Sequence, residues 1–298
     1  MAQMSTAYPR ELPGRVESLK EVGDVLTGED NARPLLQACL SGNDKTLRSL
    51  LSRPIWIGTL LEKSNTIYSK MVLKGVPKVS AKPTFNIERC LTLAAVNGHA
   101  AVVSTLLAFA KSQGIDTSTF MTRSLINNAI GAGHAAVFKA LASAEPNVIN
   151  FPLGHGGTQP LYEAVRRREF EVAAVLLELG ADPLHPANND PNRRSLMSHA
   201  VFGGSRMIKM LIQHGTPVAG TGALHSAAKF EKLDIMRLLL QHDADANEIH
   251  TNWHNWTPMY FAASNGHVEA MKLLEEYGAH FGIQGRRWED SRAAAGRQ

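Results

Sequence analysis

The sequence predicts an all-α protein, a helical solenoid of about seven two-helix repeats with an insertion after the first repeat. Two observations indicate this fold class. Seven related segments each open with a short stretch of small and apolar residues, and a leucine follows at the same distance in all seven. Between these positions apolar residues recur at helical spacing, as in "FEVAAVLLELGAD" (170–182), which is typical of an amphipathic helix.

The first helix of each repeat is short, and "TPMYFAASNGH" (257–267) contains all its signals. The Thr257 hydroxyl can cap the helix, Pro258 suits the first helical position, and Gly266 permits a sharp turn. A helix of about two turns is not stable by itself in water. We therefore expect each helix pair to be stabilised by the pairs beside it.

The repeat is defined by an apolar anchor, a small residue and a leucine. The anchors Leu35, Leu91, Ile126, Leu161, Leu196, Leu224 and Met259 are spaced by 56, 35, 35, 35, 28 and 35 residues. Alanines follow most anchors, at Ala94, Ala129, Ala164, Ala227 and Ala262, whereas His199 occupies this position in the fifth repeat. The leucines are Leu50, Leu106, Leu141, Leu176, Leu211, Leu239 and Leu274.

Two segments, "TPMYFAASNGHVEAMKLLEEYGAH" (257–280) and "LHSAAKFEKLDIMRLLLQHDADAN" (224–247), resemble the ankyrin repeats, whose opening signature is Thr-Pro-Leu-His-x-Ala. The resemblance covers residues 31–281. It implies repeats near 31–55, 88–116, 122–150, 157–185, 192–218, 221–249 and 255–281. It also implies a structural role for His225 and for the histidines that end the Gly-His turns, His99, His134 and His267.

Three segments lie outside the repeat pattern. Residues 1–30 contain a candidate capping helix, and residues 282–298 form a polar tail. The sequence of the insertion, 56–87, predicts a helix over 58–74, followed by an extended stretch that contains two prolines. Its lysines account for the excess positive charge of a chain whose formal net charge is +4.

The insertion has two interpretations. It is either a longer loop packed on the solenoid with its lysines in water, or a docking element for an acidic partner or an import receptor. In the second case the contacts would include Lys70, Lys74 and Lys78. Because the excess charge is local and is not spread along the molecule, it does not indicate a general nucleic-acid surface. Because the lysines are scattered singly, they do not form a convincing import signal.

The sequence contains no recognisable catalytic, cofactor or metal constellation. Cys39 and Cys90 lack metal-type spacing, and "LGHGGTQP" (153–160) lacks the lysine of a phosphate-binding loop. The chain also has no apolar run long enough to cross a membrane. We therefore expect no enzyme activity, no cofactor and no metal, and an intracellular location in the cytoplasm, the nucleus or both.

The loop "EIHTNWHNWTPMY" (248–260) provides the strongest candidate contacts, which are His250, Trp253, His254 and Trp256. A tryptophan here either covers the end of the stack or projects as an interface anchor. The resemblance implies a noncatalytic protein-binding scaffold or adaptor, for example a transcriptional co-regulator. The alternatives are an inhibitor, a substrate adaptor for a ubiquitin ligase or a secreted effector. An enzyme and a nucleic-acid binder are rival classes.

Overall fold

The computed structural model describes residues 31–64, 84–153, 157–185, 194–250 and 253–280. Three predicted features lie outside these residues: the capping helix within 1–30, the tail 282–298, and Lys70, Lys74 and Lys78 of the insertion. The chain divides into two compact units, residues 1–148 and 149–298, which are described separately.

The described residues form an all-α fold of 15 α-helices with one short two-stranded sheet. The first unit contains α1 (Arg33–Ser41), α2 (Asp44–Leu51), α3 (Ile55–Leu61), β1 (Lys63–Ser64), β2 (Thr84–Phe85), α4 (Asn86–Val96), α5 (Ala100–Ser112), α6 (Arg123–Gly131) and α7 (Ala135–Ala144). The second contains α8 (Pro160–Arg167), α9 (Phe170–Glu178), α10 (Leu196–Ala200), α11 (Ser205–Gln213), α12 (Ala223–Lys229), α13 (Leu233–Leu240), α14 (Pro258–Ser264) and α15 (Val268–Glu276). Short 3₁₀ helices cover Thr117–Phe120 and Pro146–Asn150.

Helices in both units pack as antiparallel pairs in two rows. In the first unit the short helices α1, α4 and α6 pack in one row, and α2, α5 and α7 pack in the other. In the second unit α8, α10, α12 and α14 form the first row, while α11, α13 and α15 pack in sequence in the second. Each first helix also packs on the second helix that follows it. The core of each unit therefore lies between its two rows.

The insertion begins as a helix but leaves that conformation earlier than the sequence predicts. The helix α3 ends at Leu61, and Glu62 has extended backbone dihedrals, φ −69° and ψ 145°. The Glu62 carbonyl accepts a hydrogen bond from the Asn86 amide at 3.0 Å, and β1 pairs antiparallel with β2. The predicted helix over 58–74 is therefore wrong in its described part, where the strand pairing ends it at Leu61, and residues 65–74 lie outside the described residues.

The predicted repeat positions are buried with one exception. Ala94, Ala129, Ala164, Ala227 and Ala262 are all fully buried, as are Leu106, Leu141, Leu176, Leu211, Leu239 and Leu274. Leu50 is only half-buried, and α2 buries Leu47 and Leu51 instead. The polar Thr46 stands where other repeats place an apolar residue, so α2 turns its neighbour Leu47 toward the core.

The first helix of the fifth pair is shifted by one residue relative to the sequence alignment, whereas Leu211 on its second helix keeps the aligned, buried position. Ser195 caps α10 as Thr257 caps α14, which aligns residue 200 with Ala262, and Gly204, with φ +88°, is already the N-cap of α11. In this register the buried small residue is Ala200. His199 therefore does not occupy an alanine site, and its position in the alignment was wrong by one residue.

The turn histidines join consecutive first helices, as expected from their place in the repeat. The His99 Nε2–H donates to the carbonyl of Leu40 at 2.9 Å, and the His267 Nε2–H donates to that of Lys229 at 3.1 Å. Each bond satisfies a carbonyl that the end of a helix leaves without an internal partner. These histidines therefore hold one pair to the next.

We expect Gly42→Ala to destabilise the protein more than Gly266→Ala. Both glycines have positive φ, which costs an alanine about 1–2 kcal/mol. A Cβ at Gly42 would also lie 2.5 Å from Nδ1 of His99, whereas a Cβ at Gly266 meets no atom within 4 Å. Urea unfolding of the two variants measures the difference. Equal losses would contradict the close packing of His99 on this turn.

Candidate functional site

The first helices of the second unit bring cationic and aromatic side chains together at one surface. Arg168 follows α8, Arg194 precedes α10, and Lys229 ends α12. Phe202 and Phe230 follow α10 and α12, respectively. Because these helices pack side by side, the five side chains form one surface, which we call the cationic–aromatic face.

The cations of this face lie over aromatic rings. The guanidinium carbon of Arg168 is 5.8 Å from the centroid of the Phe202 ring, and that of Arg194 is 5.9 Å from the same ring. Arg194 also lies 5.1 Å from the ring of Trp253. The rings of Phe202 and Phe230 contact each other edge to face at 5.2 Å. Cation–π contacts of this kind hold long side chains in place.

The charge of the face is not neutralised from within. Among the residues that the structure describes, no carboxylate forms an ion pair with Arg168, Arg194 or Lys229. The nearby Glu163 is already paired, because its Oε2 lies 2.6 Å from Arg166 and 3.4 Å from Arg167. Phe230 is 43% exposed beside these cations. The face therefore presents positive charge together with an accessible aromatic ring.

The structure separates the four contact candidates of the 248–260 loop. Trp253 is only 5% exposed, so it is not an exposed interface anchor, and it packs between His225 of α12 and Phe261 of α14 rather than over the end of the stack. His254 is exposed, and His250 and Trp256 are half-buried. The ring of Trp256 contacts Tyr260 at 4.2 Å and His254 at 5.3 Å. Trp256 and His254 therefore remain accessible to a partner.

The buried ring of Trp253 lies beside the cationic–aromatic face. Its ring is stacked near His225 with centroids 6.0 Å apart, and it meets Phe261 edge-on at 5.2 Å. The Lys229 ammonium lies 5.8 Å from the same ring. A Cβ at Gly222 would come within 2.6 Å of Nε1 of Trp253. The indole is thus enclosed by α12, α14 and two cations.

His225 has the structural role that the resemblance implies. It is fully buried, and its Nε2–H donates to the Trp256 carbonyl at 2.9 Å, which ties α12 to the loop before α14. Burial lowers the pKa of His225 to about 4, and burial together with Arg194 lowers the pKa of His199 to about 4. Both imidazoles are therefore neutral at pH 7.

We expect the free energy of unfolding to decrease through His225 as the pH falls from about 6.5 toward 4. In this window the unfolded state binds a proton that the folded imidazole does not, and each unit of lowered pKa corresponds to about 1.4 kcal/mol. Burial raises the pKa of Glu248, which acts in the opposite direction. The measurement is therefore the difference between wild type and His225→Gln in unfolding at pH 7 and pH 5. An identical pH dependence in both proteins would contradict the buried neutral imidazole.

The two cysteines are buried next to each other. Both side chains are fully enclosed, and a hydrogen bond with Cys90 together with burial raises the pKa of the Cys39 thiol well above its usual value. Thiols in such surroundings react poorly. They contribute packing between α1 and α4.

Over the described ranges, no helix has the length and apolar character needed to cross a membrane. In the same part of the chain, no three His, Cys, Asp or Glu side chains are grouped to hold a metal ion.

The residues of the cationic–aromatic face are not among the sequence-based candidates, but they share a position in the repeat register. Phe202 and Lys229 each stand two residues after the buried alanine of their first helix, Ala200 and Ala227. These equivalent positions place side chains on the same edge of successive first helices. The identities there differ between repeats, so no pattern marked them.

Comparisons with known proteins agree with the helix-pair architecture. The family model described as "Ankyrin repeats (3 copies)" matches residues 91–187 and 196–284, more than half of the chain. The ankyrin repeat domain of Bcl-3, in a crystal structure described as that of a unique member of the IkappaB protein family, superposes with a TM-score of 0.57 at 24% identity. That match covers 83% of this chain and 100% of the Bcl-3 chain, and it supports the fold alone.

The curated relatives of the chain include two fungal proteins that it matches over most of its length. "Ankyrin repeat protein nuc-2" of Neurospora crassa is 27% identical over 277 residues, which cover 90% of this chain and 24% of the relative. "Phosphate system positive regulatory protein PHO81" of Saccharomyces cerevisiae is 24% identical over 197 residues, 62% of this chain and 15% of the relative. The chain therefore spans at most about a quarter of the length of either relative.

Proposed function

Because the chain belongs to the ankyrin repeat family, we propose that it is a noncatalytic scaffold or adaptor that binds another protein. Ankyrin repeats typically mediate protein–protein interactions. The observation that carries the proposal is the cationic–aromatic face, where Phe230 is accessible beside three cations without carboxylate partners in the described part of the chain. Exposed aromatic and arginine side chains are enriched at protein interfaces.

The arrangement of helix pairs supports this proposal. We interpret the seven pairs of the described residues as seven ankyrin repeats, with α3 and the short sheet as part of an insertion after the first. A stack of repeats buries its small and apolar residues internally, which leaves the variable side chains at helix ends for contacts with partners. The side chains at these helix ends differ from repeat to repeat without disturbing the core, so they are suited to contacts with a partner protein.

A narrower candidate function is regulation through protein contact. PHO81 is named as a positive regulatory protein of the phosphate system, and its similarity covers 62% of this chain. We therefore place a regulatory adaptor, including a transcriptional co-regulator, ahead of a ubiquitin-ligase substrate adaptor or a secreted effector. An inhibitor that binds an enzyme is compatible with the same surface.

Affinity capture with quantitative mass spectrometry tests the proposal. The full chain is compared with Phe230→Ser, which alters the face, with a triple Lys70→Glu, Lys74→Glu and Lys78→Glu variant, and with Lys209→Glu on α11 as the control. We expect proteins that are enriched by wild type and by the control but depleted by Phe230→Ser. If the lysine variant retains all partners, the insertion is not the docking element. A catalytic turnover abolished by one polar substitution would contradict a noncatalytic scaffold.

A further inference from the structure

We propose that the cationic–aromatic face binds an acidic segment of the partner protein, an inference that rests on the proposed scaffold function. Carboxylates of this segment pair with Arg168, Arg194 and Lys229, and an apolar side chain packs on Phe230.

The charge of the cationic–aromatic face is complementary to that of an acidic segment. Its three cations lie on one surface, and among the described residues neither Glu163 nor Glu231 forms an ion pair with any of them. Glu163 pairs with the arginines that end α8, and the Oε2 of Glu231 lies 3.3 Å from Nδ1 of His267. A surface with fixed positive charge attracts a negatively charged partner and repels a positive one.

The cations of the face are already held in position before a partner binds. Arg194 contacts the rings of both Phe202 and Trp253, and Lys229 lies 5.8 Å from the rings of Phe230, Trp253 and Phe261. A side chain held in this way loses less conformational entropy when it binds. A guanidinium that rests on a ring keeps its edge N–H groups available for a carboxylate, which it can bind with two parallel hydrogen bonds.

The accessibility of the aromatic rings favours a peptide over a nucleic acid as the partner of this face. Single-stranded nucleic acids bind on successive accessible rings, onto which the bases stack. Here Trp253 is 5% exposed, Phe202 is half-buried under two arginines, and only Phe230 is open. One accessible ring and three cations suit a short acidic segment with one apolar anchor better than a phosphate backbone.

Selection from a library of displayed random peptides tests the inference, with the full chain as bait. We expect wild type to enrich peptides rich in Asp and Glu. The triple variant Arg168→Glu, Arg194→Glu, Lys229→Glu should lose this enrichment. A matched triple variant on the second helices, Lys209→Glu, Arg237→Glu, Lys272→Glu, carries the same change of charge and should retain it. Circular dichroism melting shows whether each variant is folded.

Binding of one selected acidic peptide, followed by fluorescence anisotropy, gives the magnitude. We expect the face variant to bind at least about tenfold more weakly than wild type, a change of about 1.4 kcal/mol. The single variant Arg168→Gln, at an exposed side chain, should weaken binding in the same direction without disturbing the fold. Added salt should weaken binding as well.

Three outcomes would overturn the inference. Selected peptides without acidic enrichment, or acidic peptides that bind the face variant equally well, would remove the acidic partner but leave the scaffold function intact. Tighter binding of a single-stranded RNA oligomer, lost in the face variant, would assign the face to nucleic acid. Failure to enrich any peptide, together with no captured protein, would contradict the scaffold function itself.

Discussion

We expect Trp253→Ala to lower the free energy of unfolding by about 3–5 kcal/mol, the range for a buried tryptophan. The indole is 5% exposed and lies between His225 and Phe261, under the side chains of Arg194 and Lys229. Truncation leaves a cavity between α12 and α14 and removes the ring that supports both cations. Chemical denaturation of the purified variant provides the measurement.

Trp256→Ala is the control for this prediction. Trp256 is half-buried in the same loop, so its removal should destabilise the protein less than the removal of Trp253. If Trp253→Ala instead lost under about 1 kcal/mol while partner binding fell, the tryptophan would be an interface anchor rather than part of the core.

Leu176→Ala and Leu211→Ala should each reduce the free energy of unfolding by about 2–5 kcal/mol. Both leucines are fully buried on second helices, Leu176 on α9 and Leu211 on α11. Leu50→Ala, at the equivalent but half-buried position of α2, should lose clearly less. Denaturant titration of the three variants measures these free energies of unfolding. A loss below about 1 kcal/mol at Leu176 or Leu211 would contradict the repeat alignment.

The fold was predictable because repetition makes a weak local signal strong. A single alanine or leucine has many structural explanations, but the same residue at the same place in repeat after repeat has few. The buried leucines of the second to seventh pairs follow from this pattern, as do the buried alanines of all these pairs except the fifth. The sequence also predicts the cap of α14, where the Thr257 Oγ1 accepts the Tyr260 amide at 3.3 Å.

The departures from the prediction arise where local rules compete with tertiary contacts. Because His199 and Ala200 are adjacent, an alignment of the fifth repeat that is displaced by one residue fits the repeat pattern almost as well as the correct one. The helix over 58–74 had suitable periodicity, but the pairing of β1 with β2 ends it at Leu61. In α2 the polar Thr46 rotates the buried face by one position.

The candidate site was harder to predict than the fold. Its side chains come from different repeats and share position rather than identity, as Phe202 and Lys229 illustrate. Trp253 and Trp256 are equivalent candidates in the sequence of their loop. Only the structure shows that the Trp253 ring is buried and the Trp256 ring is accessible. Burial at loop positions depends on neighbouring repeats, and a periodic pattern contains no information about it.

Site-specific photocrosslinking tests the central claim most directly. A benzophenone amino acid replaces Phe230 on the cationic–aromatic face or, as a control, Lys209 on α11, and the chain is irradiated with the partner protein obtained by affinity capture. We predict a covalent adduct from position 230, suppressed by Arg194→Glu, and none from position 209. Adducts from position 209 alone, or an adduct from position 230 that Arg194→Glu leaves unchanged, would contradict binding at the cationic–aromatic face.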